Sequence, residues 1–199
     1  SLVVIIKVRH GFIRVLSWKL QQQPTKGKDM QISKLEVKNI SHYARGSEET
    51  PCYNATVYIN GKKAIEVSNE GHGGSDRQDT YPEMHDFHPT KHILTLANEW
   101  CIKTYGTKTH KYMSGEEEKS FDIEMDLEQV CQDALYDWLD KKSLKKDMQK
   151  KYLFVEKGQL MAYKRIASDT ETTFKDFFKK NHPTSKCLNF LPFDDALKL

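Results

Sequence analysis

The chain is short of cysteine, with four in 199 residues (Cys52, Cys101, Cys131 and Cys187), no two closer than 30 positions. There is no C-x-x-C pair and no zinc-knuckle spacing, and a chain of this length can build its core without a disulfide framework. Four reduced, mostly buried thiols and a cytoplasmic setting are the expectation. Ten glycines and six prolines are too few for a collagen-like or low-complexity class. No apolar run is long enough to cross a bilayer, because residues 1–20 are interrupted by Lys7, Arg9 and Arg14. The same stretch lacks the small-residue cleavage pattern of a secretory signal. No membrane is expected among the partners. With 38% hydrophobic and 30% charged residues, the chain is not wholly disordered. Its length suits one domain, or at most two small ones.

A strong field of one sign is also missing. The formal net charge is +3, but six basic residues (Lys7, Arg9, Arg14, Lys19, Lys26, Lys28) and one acid (Asp29) lie in 1–29. Residues 30–199 keep 25 basic against 27 acidic side chains, a net of −2. Nothing in the main body draws it to phosphate, and nucleic acid is not favoured as a partner. Residues 1–29 read in two ways. Residues 2–8 and 12–20 form strands turning at His10-Gly11, or the whole segment is an extension with a polar linker, 21–29, ahead of a natural start at Met30. The second reading divides the chain into an extension, 1–29, and a single domain, 30–199.

What is present is a sequence of periodic segments. Residues 31–41 alternate imperfectly and read as a first strand. Tyr53, Ala55, Val57 and Ile59 alternate with polar neighbours, Asn60-Gly61 follows, and Lys63, Ile65 and Val67 continue the extended pattern. Asn-Gly between two such runs favours a type I′ turn, so a hairpin is expected over 52–59 and 62–68. Ile93, Leu94, Leu96, Ala97, Trp100 and Cys101 predict a helix over 89–104, with Pro89 in its first turn and Gly106 closing it. Residues 107–120 are polar, with an acidic run at Glu116, Glu117 and Glu118. Asp126 can cap a helix over 126–149 whose stripe is Leu127, Val130, Cys131, Ala134, Leu135, Trp138 and Leu139. Its acids lie early and its lysines late, which complements the helix dipole. The lysines therefore read as a solvated face before they read as a phosphate patch. A second hairpin is expected at 152–155 and 160–163. A short helix carrying Phe174, Phe177 and Phe178 follows, capped by Asp169 or Thr170, and the aromatic tail should pack, with a last turn at 193–198. The order β, ββ, α, α, ββ, α implies an α+β fold, with antiparallel hairpins packed against two or three helices in a single main domain.

Two places could carry chemistry. The first is the loop beyond the first hairpin, with Asn69, Gly71, His72, Gly73, Gly74, Asp76 and Arg77. Its glycines allow backbone conformations closed to other residues, and its amides could cradle an anion. It lacks the GK[ST] of a P-loop and does not match GxGxxG. A tight strand exit explains the same glycines. The second is a concentration of imidazoles: His72, His85, His88 and His92 fall within 21 residues, beside Asp76, Asp79 and Asp86. The i,i+3 and i,i+4 spacings suit zinc or another divalent metal. Surface or helix-capping histidines in a polar loop suit them as well, and no HExxH signature is present. No GxSxG surrounds Ser75. Tyr163-Lys164-Arg165 and the aromatic–basic stretch 174–180 could stack on bases, although burial of the rings is the commoner use.

The segment NATVYINGKKAIEVSNEGHGGSDR (54–77), placed soon after Met30, resembles an element of small phage and mobile-element proteins. In these a strand, an NG or DG turn and a second strand lead into an N-x-G-x-G-G loop. LNFLPFDDAL (188–197) extends the likeness thinly. The resemblance implies an accessory protein of viral or prophage origin that engages a host factor or an immune component in the host cytoplasm, an anti-defence role. It assigns no catalytic residue. Three functions remain open at this point: a host-protein interaction module using Asn69, Gly71, His72, Gly73, Gly74, Asp76 and Arg77; a metal-dependent hydrolase or nuclease using His72, His85, His88 and His92; and a nucleotide-binding protein using the amides of 71–74.

Overall fold

Alternation in the first hairpin makes one face of a sheet. The computed structural model describes residues 6–9, 12–15, 31–88, 90–166 and 170–197. Its first two strands, β1 (Ile6–Arg9) and β2 (Phe12–Val15), pair antiparallel, while His10, Gly11 and the rest of the strands expected over 2–8 and 12–20 lie outside the described residues. The proposed linker at 21–29 and Met30 lie outside the described residues, as do Pro89, Asp169 and position 198.

The main sheet is an antiparallel meander of β3 (Leu35–His42), β4 (Tyr53–Ile59), β5 (Lys62–Asn69) and β6 (Arg77–Thr80), in that spatial order. Tyr53, Ala55, Val57 and Ile59 of β4 are buried, together with Ile65 and Val67 of β5. The Asn60-Gly61 turn is as expected, with φ of 50° and 82°. Two irregularities explain the weaker patterns. Asn39 sits at φ 54° where the β3–β4 register shifts, which breaks the alternation of 31–41. The β4–β5 register shifts between Val57 and Tyr58, leaving Ala64 buried beside Ile65.

α1 (Ile93–Tyr105) starts four residues later than the sequence predicts. His92 is its N-cap, and its ring nitrogen accepts from the Leu94 amide. Gly106 closes it at φ 68°. The polar segment beyond, to which the sequence assigns no element, is a hairpin of β7 (Thr107–Ser114) and β8 (Glu117–Glu124) turning at Gly115. Nearly every residue of it is exposed, so there was no apolar stripe to read. α2 (Leu127–Lys150) is capped by Asp126, whose carboxylate accepts from the Gln129 amide at 2.9 Å. Leu127, Cys131 and Leu135 of α2 join Ile93, Ala97 and Cys101 of α1 against the sheet in one core. Lys141, Lys142, Lys145 and Lys146 are exposed.

The rest of the chain packs around the second hairpin, β9 (Lys151–Glu156) and β10 (Gln159–Lys164). α3 (Glu171–Asn181) begins in a capping box between Thr170 and Thr173, and buries Phe174 and Phe178 against Tyr152 and Phe154. β11 (Lys186–Cys187) adds to β9, and the tail ends in the short α4 (Phe193–Ala196). Leu188 and Ala196 are buried with Leu153, and Leu144 and Met148 of α2 pack on them. The protein is thus a single α+β domain of antiparallel sheets and helices. None of the described helices is long and apolar enough to cross a membrane. All four cysteines are unpaired; Cys101, Cys131 and Cys187 are buried and Cys52 is half-buried.

Asn60 ties the chain entering β3 to the first hairpin. Its Oδ1 accepts from the Ser33 amide, the Ser33 hydroxyl and the Lys34 amide at 2.9, 2.8 and 3.1 Å, and its Nδ2 donates to the Gln31 carbonyl at 3.0 Å. Asn60→Ala removes these bonds and leaves a Cβ-bearing residue at positive φ. Urea unfolding is expected to show a loss of about 2 kcal/mol. An unchanged midpoint would mean that these bonds contribute nothing in water.

Candidate functional site

Three glycines in four residues would ordinarily leave a loop without a fixed path. Here the loop 70–76, between β5 and β6, is fixed by the residue that precedes it. Asn69 is the last residue of β5 and is 9% exposed. Its Oδ1 accepts from the Gly71 amide at 2.9 Å and from the Thr50 hydroxyl at 2.7 Å. Its Nδ2 donates to the Gly74 carbonyl at 3.3 Å and to Asp76 Oδ1 at 3.0 Å. All four of its hydrogen-bonding positions are therefore used.

The loop is laced to a second one, 43–51, between β3 and β4. The Gly71 carbonyl accepts from the amides of Glu48 and Glu49 at 2.9 and 3.0 Å. The Gly73 amide donates to the Thr50 hydroxyl at 3.2 Å. Ser47 braces the other side, its hydroxyl donating to the Tyr43 carbonyl and accepting from the Cys52 amide. The backbones approach so closely at Gly71 that a Cβ built there would lie 2.0 Å from the Gly46 carbonyl oxygen. Gly71, Gly73 and Gly74 all have φ between 86° and 91°.

Below the loop is a buried polar group. Asp76 is 8% exposed and Tyr53 only 2%. The Tyr53 hydroxyl donates to Asp76 Oδ2 in a short bond. The Asp76 amide donates to Glu128 Oε1 at 3.2 Å, in the first turn of α2. Burial, then the neighbouring Asp76, pushes the Tyr53 phenol well above its ordinary range, so it stays a donor. Burial also raises the Glu128 carboxyl, against the amide of Asp76, which lowers it. The thiols nearby are inert for the same reason: burial takes Cys101 to about 12 and Cys131 higher still. Among the described residues, no buried side-chain nitrogen or oxygen lacks a partner.

The seven loop residues singled out from the sequence thus have two different positions. Asn69, Gly71 and Asp76 are buried framework. Gly74, His72 and Arg77 are at the surface, with Gly73 half-buried. His72 Nδ1 lies 3.2 Å from Glu48 Oε2, and Arg77 pairs with Asp79 at 2.7 Å. Exposed ion pairs of this kind contribute little to stability. Thr50, Tyr53 and Glu128 complete the framework and carry no local sequence signal, lying 19, 23 and 52 residues from their partners.

The histidine cluster is not a metal centre in this geometry. Among the described residues, no three His, Cys, Asp or Glu side chains are placed to hold an ion. His72 faces Glu48 and His85 follows the 3-10 turn at Pro82–Met84. The His88 ring accepts from the Thr90 and Lys91 amides at 3.2 Å, and His92 caps α1. The surface-and-capping reading describes their surroundings. The phosphate-cradle reading loses two of its donors, because the Gly71 and Gly73 amides already donate within the loop pair. Four concavities of about 290–420 Å³ among the described residues are lined by residues other than 69–77.

No family model matches the chain, and no curated protein or solved structure matches it either.

The two glycine environments separate backbone strain from close approach. Gly71→Ala meets the Gly46 carbonyl, whereas Gly74→Ala meets nothing within 4 Å. Both carry the cost of a side chain at positive φ, about 1 kcal/mol. In chemical unfolding, Gly71→Ala is expected to lose at least about 2 kcal/mol more than Gly74→Ala. Equal losses would show that the two loops are not in contact.

Proposed function

We propose that the chain is a protein-interaction module, and that the recognition face is formed by 43–51 and 70–77. One observation carries this reading: a loop pair held rigid by its own hydrogen bonds that leaves Tyr43, Glu70, His72, Ser75 and Arg77 exposed. A loop ordered before encounter avoids the entropy cost that weakens recognition by flexible segments. Aromatic and guanidinium groups are the side chains that most often anchor protein interfaces, and Tyr43 is 60% exposed. Four concavities of about 290–420 Å³ among the described residues all lie away from this face, which favours a partner with an extended surface.

The resemblance of 54–77 to phage and mobile-element proteins supports a host protein as that partner. An accessory role follows, in which the module occupies a host or immune factor in the cytoplasm. Binding needs no catalytic step, and none is assigned to the loop.

The test is affinity capture from host lysate with the full chain and with the double variant His72→Ala/Arg77→Ala. Both side chains are exposed, so the variant should keep its circular dichroism spectrum and melting temperature. A partner held by the unaltered chain and lost by the folded variant is the expected result. Equal recovery by both, or no specific partner with either, rules the loop face out.

A further inference from the structure

The aromatic cluster around the second hairpin encloses a polar chain that its packing does not require. Tyr163, on β10, stacks at 5.3 Å on Phe154 and meets Phe174 and Phe177 edge-on at 5.9 and 5.5 Å. A phenylalanine would make these ring contacts equally well. The hydroxyl of Tyr163 instead lies 2.7 Å from Nε2 of His182, the residue that ends α3. Nδ1 of the same ring lies 3.0 Å from Glu156 Oε1, at the end of β9. The Ser185 hydroxyl donates to that oxygen at 3.1 Å. Phe154 and Phe178 hold the imidazole between them, with centroids at 4.8 and 5.3 Å.

One tautomer satisfies every group. With its hydrogen on Nδ1, His182 donates to Glu156 and accepts from the Tyr163 phenol. This is the order of groups that activates a weak nucleophile: acceptor nitrogen on the nucleophile, carboxylate behind the ring to steady the imidazolium. The bond from His182, aided by Ser185, holds the Glu156 carboxyl below its usual range, so it is ionised at neutral pH. The His182 side chain is 14% exposed, enough for proton exchange with solvent.

Tyr163 also lines a concavity of about 330 Å³, together with Lys164, Ile166, Thr173, Phe174 and Phe177. Ile166 and Phe177 line it while 59% and 43% exposed. Its walls are apolar except for Lys164 and Thr173, and its size suits one short acyl chain or a single ring.

We propose that Tyr163 is a base-assisted nucleophile, acylated by activated acyl donors (aryl esters or thioesters) whose apolar group seats in this concavity. The phenol oxygen attacks the acyl carbon as its proton passes to His182 Nε2. The new carbon–oxygen bond forms, and the bond to the leaving oxygen or sulfur breaks. The proton on His182 goes to the departing group, leaving an ester on Tyr163. No oxidant or reductant enters. The site lies on β9, β10 and α3, away from the glycine loop, and stands independently of the interaction reading.

The full chain is treated with 4-nitrophenyl butyrate, and acylated peptides are quantified by mass spectrometry. Tyr163 is expected to react about a hundredfold faster than Tyr43, which is more exposed but has no such base. Glu156→Gln and His182→Gln should each slow Tyr163 at least about tenfold while leaving Tyr43 unchanged. Circular dichroism establishes that each variant folds. If His182→Gln does not, Glu156→Gln decides. The proposal is overturned if Tyr163 reacts no faster than Tyr43 or if a folded variant keeps its rate.

Discussion

The carboxamide of Asn69 turns a glycine-rich strand exit into a defined surface. It closes the loop on itself through Gly71 and Gly74, and fastens it to the neighbouring loop through Thr50. It also reaches down to Asp76, which is held in turn by Tyr53. Glycine makes the path sterically open, but it does not select it. The selection comes from a side chain with two donors and two acceptors in one plane, buried where each unmade bond would be costly. The shape of the exposed face is therefore set from beneath.

That dependence reaches into the fold. Tyr53 opens β4 and belongs to the main core, while Glu128 lies in the first turn of α2. The loop is thus joined to the sheet through Tyr53 and to the helix layer through the Asp76 amide. A buried network of this kind is stable only when each member has its partner, which is the case among the described residues. Removing one member would unbalance the others, so loop order and domain stability are coupled. A surface built this way should be presented in one conformation rather than selected from many.

How much of this was legible in the sequence varied with the kind of signal. Asn60-Gly61 between alternating runs announced the first hairpin because the turn requires two positive φ values. Asp126, followed by a stripe at spacings of three and four, announced α2. Strands without an apolar face were invisible: Arg77–Thr80 is wholly polar, and Thr107–Ser114 with Glu117–Glu124 buries almost nothing. The start of α1 was misplaced because Pro89 is a strong local cue, whereas the capping group is the less usual imidazole of His92. The histidine spacings suggest a metal because sequence distance hides direction, and the rings of His72, His88 and His92 each engage their own neighbourhood. The loop itself was visible through its glycines. Its framework partners Thr50, Tyr53 and Glu128 were not, because they come from three separate elements and share no periodicity with the loop.

Pre-organisation of the loop pair is most directly measured by native-state amide hydrogen exchange, resolved at Glu48, Glu49, Gly71 and Gly73. These amides donate to the Gly71 carbonyl, Asn69 and Thr50; Gly71 is buried and Gly73 half-buried, whereas Glu48 and Glu49 are exposed residues at which solvent access alone would allow quick exchange. If the loops form a fixed frame, protection at these four positions should approach that of the paired strands β4 and β5, and Asn69→Ala should abolish it together at all four. Exchange at the rate of an unstructured peptide in the unaltered chain would contradict a rigid recognition face.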